Sequence, residues 1–190
     1  MKRSIIILLI ISLLVIGLVA SSYWITSIPT SYESTTVTSF NLSSKEFSDG
    51  QVIPTKYTCD GLDVSPPLQL DGYPPDTKSF VLIMEDLDAP AGIFTHWLIY
   101  NIPGNIDRLE EGVVKIEKLP NGIMQGINDF KEVGYGGPCP PPGKPHRYIF
   151  RMYALDELLD LKPRLSKQEL LNSIKNHIIG TAELSGIYSR

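Results

Sequence analysis

The stretch SFVLIMEDLDAPAGIFTHWLIY brings Asp86, Asp88 and His96 close together in the chain, and a second stretch, YGGPCPPPGKPHRYIF, adds His146 and Tyr148. Residues two apart in an extended backbone face the same side, so Asp86 is expected to share a face with Asp88, and His146 with Tyr148. Each member alone has an ordinary reading. Asp before Pro and Gly is common at a strand end, and a single His in an apolar strand such as FTHWLIY, with Phe94 and Leu98 expected on its own face, is commonly a satisfied core residue. Two acids, two imidazoles and a phenol around one small cavity are harder to set aside.

Three chemistries use such groups. Two His and two Asp suit zinc or iron in principle, but neither an HxH nor an HxxxH pair occurs, so no metal and no other cofactor is expected. Nucleophilic catalysis needs an activated hydroxyl, and Ser65 in DVSPPL, like the other serines, lacks a G-x-S-x-G setting; no catalytic residue is assigned. Anion binding fits best. Imidazole N–H groups oriented by carboxylates would converge with backbone N–H groups of a Gly-rich loop on a phosphate or carboxylate. Between Tyr135 and His146 lie five prolines and three glycines, including Gly137, which suits a stiff wall beside His146.

These residues must be placed by strands. SFVLIMEDLD (79–88) is nearly all apolar until its acids, as for a strand buried on both faces. FTHWLIYNIP (94–103) and RYIFRMYALD (147–156) are similar, and AELSGIYS (182–189) is a candidate last strand. One segment has helical spacing: Ser166 and Glu169 form a capping box, Leu170, Ile174 and Ile178 recur every four residues, and Lys175, His177 and Gly180 mark the end. Strands outnumber helices, so a β-rich α+β fold is expected, antiparallel or mixed, with one or two late helices.

The chain has 190 residues, 43% of them hydrophobic, enough for one sizeable core. With a net charge of −4 and no basic run beyond Lys2 and Arg3, nucleic acid is excluded as a partner. The N-terminus differs in kind. An apolar run from Ile5 to Ala20, closed by Tyr23, Trp24 and Ile25, reads as a membrane anchor or a cleaved signal peptide over residues 1–25. Either would make the membrane a partner of this segment and place the rest outside the cytoplasm, membrane-anchored or secreted. Residues 26–44 hold eleven Ser or Thr in nineteen positions and read as a stalk, which leaves 45–190 as the ligand-binding domain.

EDLDAPAGIFTHWLIYNIPG and YGGPCPPPGKPHRYIFRMYALD resemble the two signature segments of the phosphatidylethanolamine-binding proteins, in their Raf-kinase-inhibitor-like branch from bacteria and archaea. YTCDGLDVSPPL (57–68) and the terminal AELSGIYSR are similar to that branch as well, so the resemblance spans about residues 38–190. It implies a large central mixed or antiparallel sheet, a smaller second sheet and a few peripheral helices. It also implies a shallow pocket for phosphate-type anions or phospholipid head groups. The family's pocket acids match Asp86 and Asp88, its histidines His96 and His146, and its tyrosine Tyr148; Gly137 to Pro140 match the rim and Tyr188 a C-terminal pocket tyrosine. Where the family usually has proline between the acids, this chain has Leu87, a departure at the pocket lip.

The only two cysteines, Cys59 and Cys139, each flank one of these segments. In an exported domain they would pair, closing a loop worth on the order of 4 kcal/mol in the chain-entropy model; two separate buried thiols are the other reading. The reading as a whole is a non-catalytic, extracytoplasmic binder of a small anion or phospholipid head group. An extracellular protease-inhibitor or partner-modulating module, its protein partner unnamed, and a metal-dependent hydrolase are the alternatives.

Overall fold

The computed structural model describes residues 37–190. Its strands are β1 (Thr38–Ser39), β2 (Asn41–Ser43), β3 (Gln51–Val52), β4 (Leu68–Asp71), β5 (Ser79–Asp86), β6 (Phe94–Pro103), β7 (Arg108–Leu109), β8 (Met124–Gln125), β9 (His146–Leu155) and β10 (Ile178–Tyr188). A 3-10 turn covers Thr55–Tyr57, and helix α1 covers Lys167–Ile174. The large sheet runs β1-β10-β9-β5-β6-β8, with β3 also on β10, and the small one β2-β4-β7. Pairing is antiparallel except where β1 and β3 lie parallel to β10. Among the described residues the fold is mostly sheet, large and small, with one helix.

All eight residues of β5 are buried, as its apolar run predicts. Phe80, Leu82 and Met84 face the layer closed by Leu42, Leu68, Leu70 and Leu109 of the small sheet. Val81 and Ile83 face the opposite layer with Leu170 and Ile174 of α1. Each such side chain contributes roughly 1.5–3 kcal/mol on burial, so the central strand is fixed from both sides. Strand β9 alternates as expected: His146, Tyr148, Phe150 and Met152 are buried on the small-sheet face while Arg147 is exposed.

Strand β6 departs from simple alternation. Met84 pairs with Trp97 but Glu85 with Thr95, so His96 is an extra residue on β6. A bulge of this kind re-aims side chains, and here both His96 and Trp97 lie on the small-sheet face. Leu98, expected beside His96, packs instead on the opposite layer with Tyr100 and α1. A second bulge at Tyr100–Asn101, where Asn101 has φ 55°, restores the register to Ile102.

Other expectations are also corrected. Helix α1 keeps its capping box, Ser166 Oγ accepting from the Glu169 N–H, but ends at Ile174. Ile178 pairs with Leu155 at the start of β10, because strand pairing along β9 outweighs one more helical turn. β1 and β2 place Thr38–Ser39 and Asn41–Ser43 in the two sheets, so this part of the expected stalk belongs to the ordered fold. The placement as a membrane-anchored or secreted chain is corrected too. Among the described residues no helix is long and apolar enough to cross a membrane. The eight residues of α1 rise only about 12 Å against a hydrocarbon core of ~30 Å. The apolar run of residues 1–25 lies outside the described residues.

Candidate functional site

Asp86 ends β5, His96 sits in the first bulge of β6 and His146 opens β9, and the three side chains line one cavity of about 170 Å³. Its remaining wall is apolar, from Phe94, Phe130, Pro90 and the loop residues Pro140 and Pro141. A larger hollow of about 360 Å³ around Asn101 has Asp160 as its one titratable lining residue, so the chemistry converges at the smaller cavity.

Both imidazoles are anchored through the same ring nitrogen. His146 Nδ1 lies 2.7 Å from Asp86 Oδ2, and His96 Nδ1 lies 2.7 Å from the Gly136 carbonyl. A carboxylate and a carbonyl only accept, so each Nδ1 carries the proton and each Nε2 is left for other partners. Burial pushes the His96 pKa down, against the pull of the Gly136 carbonyl and of the Asp86 and Asp129 carboxylates, so His96 is neutral at pH 7. Its Nε2 is therefore a lone-pair acceptor.

Tyr148 packs edge-on to His96, with centroids 5.2 Å apart. Its hydroxyl is buried and has no hydrogen-bond partner. The Asp86 carboxylate and the Cys139 backbone both act on it, yet neither meets hydrogen-bond geometry. Burial, then the Asp86 carboxylate, holds the phenol well above its ordinary pKa, so it stays an O–H donor. Phe94 and Phe130 complete the aromatic wall at 5.2 Å from His96.

The loop before His146 is held close to the 3-10 turn. A Cβ on Gly137 would stand 2.5 Å from the Tyr57 carbonyl oxygen, so only glycine fits there, and one on Gly136 would stand 2.7 Å from the Phe130 ring and displace it. Tyr135 donates to the Tyr57 carbonyl at 2.6 Å, and Cys59 and Cys139 are joined in a disulfide. The pairing agrees with the expectation drawn from an exported domain.

Three expected pocket residues are used elsewhere. Asp88 turns outward: Arg147 donates to it through its backbone N–H at 2.9 Å, Nε at 2.8 Å and Nη2 at 2.8 Å, which lowers its pKa to about 2. Asp88 still supports Asp86, donating its own N–H to Oδ1 at 2.8 Å. The Gly137 N–H is taken by Asp63 Oδ1 at 2.6 Å and does not face the cavity. Tyr188 donates to Asp60 Oδ2 at 2.8 Å and lines a separate hollow with Val52 and Pro145. At the lip, the Leu87 N–H donates to the Arg147 carbonyl at 3.0 Å, a bond that proline at this position lacks.

Phe130 was not legible in the sequence. It lies in a loop without periodicity, and it reaches His96 because Thr95 and Asp129 bond reciprocally, Thr95 N–H to Asp129 Oδ2 at 2.7 Å and Asp129 N–H to the Thr95 carbonyl at 2.9 Å. No group of three or more His, Cys, Asp or Glu among the described residues is arranged to hold a metal ion.

Two sheets with a small imidazole-and-carboxylate cavity at the end of the central strands define a class of binding proteins. The profile of the phosphatidylethanolamine-binding protein family matches residues 43–189, and the chain belongs to that family. A UPF0098 protein of Methanothermobacter thermautotrophicus is 50% identical over 150 residues, covering 79% of this chain and 99% of the relative. One from Aquifex aeolicus is 48% identical over 149 residues, covering 77% and 86%. Among solved structures, a phosphatidylethanolamine-binding protein homologue of Chlamydia trachomatis superposes with a TM-score of 0.73 at 41% identity, covering 80% of this chain and 98% of its own. YbcL of E. coli, described as a member of the mammalian family, gives 0.74 at 34% identity with the same coverage.

Proposed function

We propose that the Asp86–His96–His146 cavity binds a small phosphate-type anion, free or as the head group of a phospholipid, and does no chemistry on it. The observation that carries this is the shared anchoring of both imidazoles through Nδ1, which leaves two Nε2 atoms for a ligand of the cavity they line, with the unpartnered Tyr148 hydroxyl buried next to His96. Free dihydrogen phosphate offers two P–OH donors and two P–O acceptors, and a phosphoethanolamine head group offers P–O acceptors with its ammonium as the donor. Either donor suits the lone pair on His96 Nε2, and a P–O acceptor suits the Tyr148 O–H. The apolar wall of Phe94, Phe130, Pro140 and Pro141 limits water around the ligand and strengthens these bonds.

The reading as a binder rests on how the lining residues are committed. Asp86 holds His146, Gly136 holds His96, the Cys139 sulfur is in a bridge, and the lining offers no hydroxyl nucleophile. Titration with inorganic phosphate and with phosphoethanolamine, followed by NMR of the two imidazoles, tests it. Saturable shifts at both rings with phosphate are expected. Unmoved rings across both titrations rule the reading out.

A further inference from the structure

The Cys59–Cys139 bridge does not lie in the core: both cysteines are exposed. Cys139 lines the candidate cavity, and both sulfur-bearing residues line a second hollow of about 140 Å³ behind it, where Phe130 is the partition between the two spaces. A small thiol therefore has an approach to the bridge from the side away from His146. The two sulfurs also differ electrostatically. Arg190 brings Nη1 to 3.9 Å from Cys139 Sγ while its Nε pairs with Asp60 Oδ1 at 3.1 Å. A guanidinium at this place favours negative charge on Cys139, whereas Cys59 is followed by Asp60 and shares its hollow with Asp63 and Glu132.

We propose that this bridge is a reversible thiol-exchange site for small thiol reductants, and that opening it loosens the wall of the candidate cavity. An incoming thiolate attacks Cys59 Sγ; a bond forms between the two sulfurs, the Cys59–Cys139 bond breaks, and its electron pair leaves on Cys139 beside Arg190. A lower-energy leaving thiolate makes this the faster of the two directions. A second thiolate then attacks the sulfur of the first thiol and releases Cys59, so two thiols are oxidised to one disulfide and the protein takes up two electrons.

The surroundings show what opening changes. Five bonds hold the loop from Tyr135 to Pro138 without the bridge: Cys59 N–H to the Pro138 carbonyl at 3.1 Å, Gly137 N–H to Asp63 at 2.6 Å, Tyr135 to the Tyr57 carbonyl at 2.6 Å, Gly136 N–H to the His96 carbonyl at 3.0 Å and His96 Nδ1 to the Gly136 carbonyl at 2.7 Å. Beyond Cys139 the loop backbone meets the rest of the fold through the Gly143 N–H to the Arg190 carbonyl, a long bond at 3.3 Å. Opening the bridge thus leaves the fold in place and frees Pro140 and Pro141, the residues that close the cavity next to His146. The inference does not depend on which ligand fills the cavity.

The test treats the folded full chain with reduced glutathione at neutral pH, without denaturant. Peptide mass mapping is expected to find one glutathione on Cys59 with Cys139 free, and the His146 imidazole signals are expected to shift. A bridge that opens only in denaturant, an adduct on Cys139 instead, or an unmoved His146 overturns the proposal. Arg190→Gln is expected to slow adduct formation several-fold; an unchanged rate removes Cys139 as the favoured leaving thiolate. The double variant Cys59→Ser, Cys139→Ser is expected to show the shifted His146 signals with no thiol present, and signals at the native position overturn the coupling. Should it fail to fold, the glutathione-treated native protein gives the same readout. Because no phosphate is used, the result stands apart from the fate of the anion reading.

Discussion

Glu85 and Asp86 are neighbours in β5, both buried, on opposite faces of the same sheet. Glu85, its side chain 8% exposed, accepts from Lys167 Nζ at 2.6 Å and meets Arg151 Nη1 at 3.4 Å, and Arg151 in turn reaches Glu183 at 2.6 Å. Every charge there has a partner, and the network ties α1 and β10 to the sheet. Asp86, 5% exposed, has one imidazole and a backbone N–H and then faces a void. A fully paired carboxylate is structure, whereas a half-paired one beside a cavity leaves bonding capacity for a ligand.

The largest break in this contrast is His146→Ala. It leaves Asp86 buried without its imidazole, at a cost of roughly 3–5 kcal/mol in urea denaturation. It also leaves a bare carboxylate facing an anion, so phosphate affinity by calorimetry falls at least about thirtyfold, or roughly 2 kcal/mol. Native-like stability and affinity together would sink the assignment. Glu85→Ala is expected to act in one column only. The freed Lys167 and Arg151 are 31% and 30% exposed and turn to water, so stability falls by about 1 kcal/mol while phosphate affinity stays within about twofold. A loss of binding like that of the His146 variant would erase the difference between the two faces.

Asp86, His96, His146 and Tyr148 were legible because they lie in or beside long strands, where alternation and apolar runs set the face. His96 and Trp97 show the limit of that logic. They lie on one face only through a bulge, and nothing in FTHWLIY marks an extra residue. The fates of Asp88, Gly137 and Tyr188 depend on Arg147, Asp63 and Asp60, partners that only the folded chain brings near. The small sheet was expected through the family resemblance alone: its strands are two to four residues long, too short for periodicity to show.

His96 gives a smaller effect with a defined sign. Its folded pKa lies below the unfolded value of about 6.5, so the unfolded chain binds the proton first as pH falls. Stability is therefore whole above about pH 6.5 and declines below it until the folded His96 itself titrates. Asp88, held at about 2 by Arg147, loses its contribution only in stronger acid, between its ordinary value of 3.8 and about 2. Urea denaturation at intervals from pH 7 to pH 5 reads the His96 window. His96→Gln should flatten the decline, and an equally steep profile in that variant would assign the slope to another group.

The smallest expected change, Tyr148→Phe, concerns the unpartnered hydroxyl next to His96. In the ligand-free protein the hydroxyl is buried without a partner, a desolvation cost of about 1–3 kcal/mol that nothing offsets. Removing it should leave stability unchanged or raise it by up to about 1 kcal/mol. With phosphate at saturation the order should invert, because a ligand stabilises the folded state in proportion to the logarithm of its affinity, and the variant lacks the donor. Denaturation of both proteins with and without phosphate reads this as a change of sign. If the substitution weakens the ligand-free protein, the Tyr148 hydroxyl already has a partner in it. If phosphate stabilises both proteins equally, the O–H takes no part in binding, and the contrast with the Glu85 face rests on the imidazoles alone.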